Sequence, residues 1–422
     1  MKRKLIFLML LIFLFSTYTF TYASEDLNLS GQAAILIDYE SGAILYEKNM
    51  DERLYPASTT KILTAILAIE YGKMDEMVTV DPEVISLTKG SHIALDYYEE
   101  VSFEDLLNAL LIQSANDASL ALAKHIAGSI EGFVEMMNEK AKELGAKNTN
   151  FVNPNGLHND NHYTTAYDMA LIAKYAMANE TLREIASKSS YTIGPTNKKD
   201  ESRYLYSTNS FFYGNDKINL NGQLIPVKYD GVICGKTGYT PEAKNCLVTL
   251  AERNGQSLIA VVLKSNGKEV YADTHKLLNY GFENFDNITL GHANEFIDNV
   301  EVENGILPYA AVVIDKTINY PLRPNSVEKV ERKVMIEEDI KAPITKGDVV
   351  GTVEYYLDDH LIGKGNLIST IDILEVPPPK LYEFLLDKWY LVAFTLIISL
   401  RIIRLYNRTK RRRRRRSKIF GY

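Results

Sequence analysis

The chain has 422 residues, 46% of them hydrophobic and 24% charged, which allows two domains and a full hydrophobic core and excludes a low-complexity or fibrous protein. Its formal charge of −7 is unevenly placed: residues 401–422 hold 11 basic and no acidic residues and the first 23 hold 3 basic ones, so residues 24–400 carry 33 basic against 54 acidic, a net of −21. So acidic a body argues against nucleic acid as a partner, and two cysteines do not make a disulfide framework.

Met1-Lys2-Arg3-Lys4, the apolar run Leu5 to Phe15 and the small-residue end Thr21-Tyr22-Ala23 read as a secretory signal over residues 1–23, with an uncut signal anchor as the alternative. The body then works outside the cytoplasm. Ala33–Asp38 and Ala43–Tyr46, around Tyr39-Glu40-Ser41-Gly42, predict a β-hairpin. Pro56-Ala57-Ser58-Thr59-Thr60-Lys61 follows, and the apolar residues after Lys61 recur at helical spacing, so Ser58 and Lys61 share one face of the first turn. An amine one turn from a serine can take its proton if burial lowers the amine's pKa, and a helix N-terminus favours the negative oxygen that forms in acyl transfer. Ser-x-x-Lys by itself is common, and a serine at a helix start is more often a cap.

Ser102-Phe103-Glu104-Asp105 opens a helix as a capping box with Asp in place of Glu, and Leu106, Leu107, Leu110 and Leu111 form its apolar face. That helix runs into Gln113-Ser114-Ala115-Asn116-Asp117, after which Ala118 to Ile126 predicts a second helix stopped by Gly128. Ser114 and Asn116 thus occupy a polar joint, where they either serve a site or cap the second helix. Phe133 to Leu144 is helical, Phe151 to Leu157 is turn-rich, and Tyr163 to Asp168 starts a helix through Met177. His158 and His162 lack a third ligand, so no metal is expected.

Val227 to Thr240 reads as a strand, Cys246–Ala251 and Ser257–Leu263 as a hairpin around Asn254-Gly255, and Ala272 to Tyr280 as a closing helix. Cys234 and Cys246 would face each other if the chain turns near Thr240, as a cross-strand bridge or as two packed thiols. From about Asn287 the apolar runs are short and separated by turn residues, which predicts a small all-β domain over 287–376. Pro377-Pro378-Pro379 is a stiff spacer. Leu381 to Tyr406 is apolar enough to reach across roughly 30 Å of hydrocarbon. The basic tail 407–422 stays cytoplasmic by the positive-inside rule. An amphipathic anchor in the headgroup plane is the alternative.

Three short motifs then combine: Ser58-Thr59-Thr60-Lys61 at a helix start, Ser114-Ala115-Asn116 between two helices and Lys236-Thr237-Gly238 at a strand. Each alone is near background; in this order and context they are specific. The chain resembles the low-molecular-mass penicillin-binding proteins, the serine-type D-alanyl-D-alanine carboxypeptidases, over residues 30–285 and in the β domain and anchor that follow. The resemblance implies an α/β fold: a β-lactamase/transpeptidase-like domain over 24–285, its five-stranded antiparallel sheet flanked by helices, then the small all-β domain and the C-terminal membrane anchor over 381–406. It implies as substrate the peptidoglycan stem peptide ending in D-Ala-D-Ala, β-lactam antibiotics as ligands, a role in cell-wall synthesis and no cofactor.

Carried over by residue, Ser58 resembles the acylated nucleophile, Lys61 its base and Ser114 a proton shuttle. Asn116 would hold the substrate amide and Lys61. Lys236 would keep the pocket positive, and Thr237 would bond the terminal carboxylate. Gly238 completes that strand motif, and the N–H groups of Ser58 and Tyr239 would form the oxyanion hole. Ile233-Cys234-Gly235 and Ala243-Lys244-Asn245-Cys246 depart from the pattern, and the expected arginine after the third strand is missing, with Lys264 or Lys268 as stand-ins. The alternatives are a serine β-lactamase, for which no carboxylate motif is found after Asn116, and a non-catalytic peptide-binding homologue, which would not need Ser58, Lys61 and Lys236 together.

Overall fold

The structure, a computed structural model, describes residues 26–378, Tyr382 and 386–419. The predicted leader 1–23 and part of the apolar segment after Pro379 lie outside the described residues. The central sheet has five strands: β1 (Ala33–Asp38), β2 (Ile44–Lys48), β3 (Val232–Thr240), β4 (Lys244–Arg253) and β5 (Gln256–Ser265). Their order is β2-β1-β5-β4-β3, and every neighbouring pair is antiparallel. Asn254 (φ 53°) and Gly255 (φ 78°) both sit in the left-handed region, which the tight turn between β4 and β5 requires.

Side chains alternate across this sheet. Ile35, Ile37, Val248, Leu250, Ile259 and Val261 pack into one core. Ala34, Leu36, Leu247, Ala251, Ala260 and Val262 pack into the other. Both faces are covered, which is why β1 and β5 read as unbroken apolar runs in the sequence. The first core holds α1 (Lys61–Tyr71), α2 (Phe103–Ile112), α3 (Asn116–Ala127), α4 (Ile130–Glu143), α5 (Ala166–Ala176) and α6 (Glu180–Ser187). The second holds α7 (Glu269–Asn284).

The predicted caps are present. Ser102 Oγ accepts from Asp105 N at 3.0 Å and donates to Asp105 Oδ2 at 2.6 Å, and Gly128 closes α3 in the left-handed conformation (φ 73°). Three expectations shift. Asn116 is the first residue of α3 rather than part of the joint before it. β3 begins at Val232, because Asp230-Gly231 forms a turn with Gly231 at φ 95°. Ser58 lies in a 3-10 turn, Ala57–Thr60, that precedes α1. The Thr59 N–H and hydroxyl both reach Pro56 O, at 3.3 and 2.7 Å, and tighten it.

Cys234 stands opposite Leu250 and Cys246 opposite Gly238 in the β3–β4 register, so the cysteines occupy different rungs of the ladder. Both are buried free thiols, and burial pushes each up to about 12. Of the two arrangements open in the sequence, packed thiols are the one formed.

A second five-stranded sheet contains β6 (Phe296–Glu301), β7 (Tyr309–Ile314), β8 (Glu331–Ile336), β9 (Val349–Leu357) and β10 (His360–Ser369), in the order β6-β7-β10-β9-β8. One compact unit comprises the chain to Leu290 with Ile318–Glu331 and Tyr355–Gly363; the other comprises Gly291–Thr317, Arg332–Glu354 and Lys364 onward. Helix α8 (Trp389–Ile419) is long and apolar enough over Trp389–Arg413 to cross a membrane by length and composition.

Gly156 fixes the Ser58 turn from behind. At φ +80° an added Cβ would lie 1.9 Å from Ala57 O and 3.0 Å from Ser58 N, both backbone atoms. Gly156→Ala is expected to destabilise the protein by about 3 kcal/mol or more, because strain at a left-handed residue and a backbone clash act together. Chemical denaturation of the variant against the parent protein measures this.

Candidate active site

Three elements meet at Ser58. The 3-10 turn carries the serine, the start of α3 brings Asn116, and the exposed end of β3 brings Lys236 to Tyr239. Gly238 lets β3 approach closely: a Cβ there would lie 2.9 Å from both Pro56 O and Ser58 N and 3.0 Å from Thr59 N. The strand and the turn therefore pack backbone on backbone, which sets the N–H of Ser58 beside the segment that holds Tyr239.

Lys61 is fully buried. Its Nζ lies 2.6 Å from Asn116 Oδ1, 2.6 Å from the Asn155 carbonyl oxygen and 3.0 Å from Ser58 Oγ. A neutral amine has two N–H donors and one lone pair. The two carbonyl oxygens match the two donors of a neutral amine, and Ser58 Oγ is the third polar atom on Nζ. Burial holds the Lys61 pKa well below its ordinary value; the Lys236 ammonium pushes it the same way, and the Asp117 carboxylate opposes both.

Lys236 is also buried, and its Nζ donates to Ser114 Oγ (2.9 Å) and to the Thr237 carbonyl (3.0 Å). Burial lowers its pKa to about 7. Ser114 is held in the left-handed region (φ 59°), a conformation that a serine adopts only where its surroundings impose it. Asn116 is fixed at both ends. Its amide Nδ2 donates to the Lys89 carbonyl at 2.6 Å, which turns Oδ1 toward Lys61. Thr237 is part-exposed, and its hydroxyl lies 2.8 Å from that of Thr208. Tyr239 is 64% exposed, so its ring is not what anchors that end of β3. All eight residues singled out in the sequence thus fall within the turn and the start of α1, the α2–α3 joint and the start of α3, and the end of β3.

Four contributors carry no motif of their own. Asn155 and Lys89 act through backbone carbonyls, for which side-chain patterns are blind. His162 is buried among helices: Val152 N donates to its Nδ1 (3.2 Å), so Nε2 carries the proton and donates to Thr60 Oγ1 (2.9 Å). Burial and the adjacent Lys61 push His162 down to about 3, so it stays neutral and braces the turn. Thr208 arrives from a hairpin distant in sequence, placed by Thr208 N donating to Ile112 O (3.1 Å). Lys268 is engaged by Asp216 at 2.9 Å, so the group beside Thr237 is the neutral Thr208 hydroxyl rather than that lysine.

A helix-flanked antiparallel sheet with a serine beside a buried lysine defines a serine acyl-transfer enzyme. Comparison with known proteins makes this particular. The family model for D-alanyl-D-alanine carboxypeptidases, Peptidase S11, matches residues 20–267, and that for the C-terminal domain of penicillin-binding protein 5 matches 285–375. The chain is 34% identical over 386 residues to the D-alanyl-D-alanine carboxypeptidase DacF of Bacillus subtilis, covering 88% of this chain and 95% of the relative. It is 33% identical over 379 residues to DacA of Haemophilus influenzae, covering 84% and 90%. The crystal structure of penicillin-binding protein 5 from Haemophilus influenzae superposes with a TM-score of 0.67 at 30% identity, over 82% of this chain and 98% of that one. The chain belongs to the D-alanyl-D-alanine carboxypeptidase family, Peptidase S11. It is a serine-type, penicillin-binding carboxypeptidase with a second, C-terminal all-β domain.

In the Thr208–Thr237 pair one hydroxyl donates to the other, which leaves one O–H free to donate to an anion at the end of β3. Thr208→Val is expected to raise KM for a peptide ending in D-Ala-D-Ala about tenfold, since a hydrogen bond to a charged group contributes roughly 1.5–3 kcal/mol, with kcat changed less. Thr208→Ser should restore it. Steady-state kinetics of the two variants provide the check.

Proposed function

We propose that Ser58 is the nucleophile that removes the terminal D-alanine from peptidoglycan stem peptides, with Lys61 as its general base. The observation that carries this is the contact set of Lys61: two carbonyl oxygens at 2.6 Å and Ser58 Oγ at 3.0 Å, so that in the neutral amine, with both N–H groups taken by the carbonyls, the lone pair faces Ser58. The Ser58 hydroxyl gives its proton to Lys61 Nζ as Oγ attacks the carbonyl carbon of the penultimate D-Ala. The oxygen that becomes negative accepts from the N–H groups of Ser58 and Tyr239. The proton that Lys61 took is passed on through Ser114, itself bonded to Lys236, to the leaving nitrogen of the terminal D-Ala as the peptide bond breaks, so Ser114 keeps its proton and Lys61 is neutral again. An ester on Ser58 remains. Water then attacks the ester, Lys61 taking its proton and returning it to Ser58 Oγ as the C–O bond breaks and the shortened peptide leaves.

The site's charge selects the substrate. Lys236 supplies the positive field and Thr237, with Thr208, the hydroxyls that receive the terminal carboxylate. Penicillins carry a carboxylate at a comparable distance from a strained amide, so they enter the same way and acylate Ser58. Asn116 holds the acyl-side amide of the substrate while it orients Lys61.

The fold carries this site to the cell surface. In this reading residues 1–23 direct export, α8 anchors the C-terminus in the membrane, and the arginine run from Arg411 to Arg416 stays on the cytoplasmic side. The catalytic body then faces the wall from the outer side of the membrane.

Two tests follow. Intact-mass spectrometry after penicillin should show one adduct, mapped to Ser58, and Ser58→Ala should lose both the adduct and D-Ala release while melting at the parent temperature; an adduct that survives in Ser58→Ala would place the nucleophile elsewhere. Lys236→Met should move the acid limb of kcat/KM to higher pH. The sign is fixed by charge: the Lys236 ammonium lowers the Lys61 pKa, so its removal lets Lys61 hold its proton to higher pH. The same variant should raise KM, because the carboxylate loses its counter-charge. A pH–rate profile on a D-Ala-D-Ala peptide measures both.

A further inference from the structure

Asp117 follows Asn116 directly and is 1% exposed. Nothing in the acylation steps above uses it. Its carboxylate accepts from Ile93 N (3.2 Å to Oδ1 and 3.0 Å to Oδ2), from Leu95 N (3.1 Å) and from its own helix at Ala118 N (2.9 Å). Every one of these partners is a donor, which is what an ionised carboxylate accepts. Two of them belong to the loop between the short Pro82–Leu87 helix and the strand Glu100–Ser102.

That same loop holds Asn116. Ser91 O accepts from Asn116 N at 2.8 Å, and Lys89 O accepts from Asn116 Nδ2 at 2.6 Å. Ser91 Oγ in turn donates to Gln113 O at 3.0 Å, on the other side of Ser114. Gly90 (φ +75°) lies so close that a Cβ there would meet Asn116 Nδ2 at 3.2 Å. The loop thus grips the amide end of Asn116 whose other end aims at Lys61, and Asp117 grips the loop.

We propose that Asp117 is a positioning residue of the acylation site, clamping the 89–95 loop onto Asn116 and serving as a buried counter-charge to Lys61, which the adjacent Asn116 contacts. The inference rests on Lys61 being the base. The charged groups facing Lys61 are Lys236 on β3, Asp117 on α3 and, when protonated, His162 from the loop before α5; His92 faces Asp117. Lys236 and Asp117 act on Lys61 in opposite senses. Without the Lys236 ammonium the base would stay protonated; without the Asp117 carboxylate it would lose its proton at lower pH than the enzyme now requires.

The clamp and the charge have separable signatures. Asp117→Asn keeps the shape and one acceptor oxygen but places an amide NH2 against backbone donors. Asp117→Ala removes both. The two variants should share one downward displacement of the acid limb of kcat/KM, on the order of one pH unit, because each removes the same charge. They should differ in plateau rate: a loss of roughly tenfold for Asp117→Asn, and of a further tenfold or more for Asp117→Ala, since each tenfold corresponds to one well-made polar contact. The experiment measures pH profiles of penicillin acylation and of D-Ala release for the parent and both variants, on preparations whose melting temperatures are recorded. If Asp117→Ala does not fold, Asp117→Asn alone carries the test. An acid limb unmoved or moved upward in Asp117→Asn, while the parent is acylated on Ser58, overturns the proposal; a parent that is not acylated on Ser58 overturns the reading beneath it instead.

Discussion

Two lysine amines, Lys61 and Lys236, are buried in one site, and among the described residues no carboxylate is in direct contact with either. Two ammonium ions removed from water side by side are costly, and the system relieves that cost by giving up a proton. Lys61 has both burial and the neighbouring Lys236 ammonium against its charge, whereas Lys236 has burial alone, and the partners of Lys61 are a neutral amide oxygen, a backbone carbonyl and a hydroxyl. An aspartate within contact distance would have held the charge on and made a structural ion pair. The chemistry depends on that omission, with Asp117 set one residue back from it.

Supplying those uncharged partners constrains the backbone. The Asn155 carbonyl reaches Lys61 because Gly156, in the left-handed region, brings its loop against Ala57. β3 reaches the Ser58 turn because Gly238 has no side chain. The turn itself is braced by the neutral His162 through Thr60 and by the Pro56 carbonyl through Thr59. Polar groups at the α2–α3 joint are satisfied by the 89–95 loop, which explains why Ser114 can be held in a strained conformation at full burial.

The side of the site that receives the carboxylate is built from a different part of the chain. Glu99 is fully buried and paired with Arg203 at 2.7 Å, which fastens the loop before Glu100–Ser102 to the hairpin strand Arg203–Tyr206. Thr208 follows two residues beyond that strand and is bonded to the end of α2. A buried ion pair contributes little net stability compared with an apolar pair of the same size, but it fixes geometry, since either partner alone would be an uncompensated charge. Here it places one hydroxyl beside Thr237.

Much of this was legible in the sequence. Ser58 and Lys61 are read from spacing, because a helix turn fixes which side chains share a face, and Ser114, Asn116 and Lys236 to Tyr239 are picked out by the family resemblance that the three motifs carry. The caps at Ser102 and Gly128 and the hairpin at Asn254-Gly255 follow from periodicity and from residues with one conformational use, and the helix-flanked sheet from the family resemblance. The long helix after the prolines follows from composition. Only the tertiary structure decided the rest: that Ser58 belongs to a 3-10 turn, that the cysteines miss each other by register, that Thr208 rather than Lys268 stands at Thr237, and that Asp117 and two backbone carbonyls govern Asn116 and Lys61. The division has a physical cause. Local sequence fixes the direction in which a side chain points from its own element, whereas a pKa or a hydrogen-bond partner depends on what other elements, here 22 and 122 residues away in the chain, bring against it.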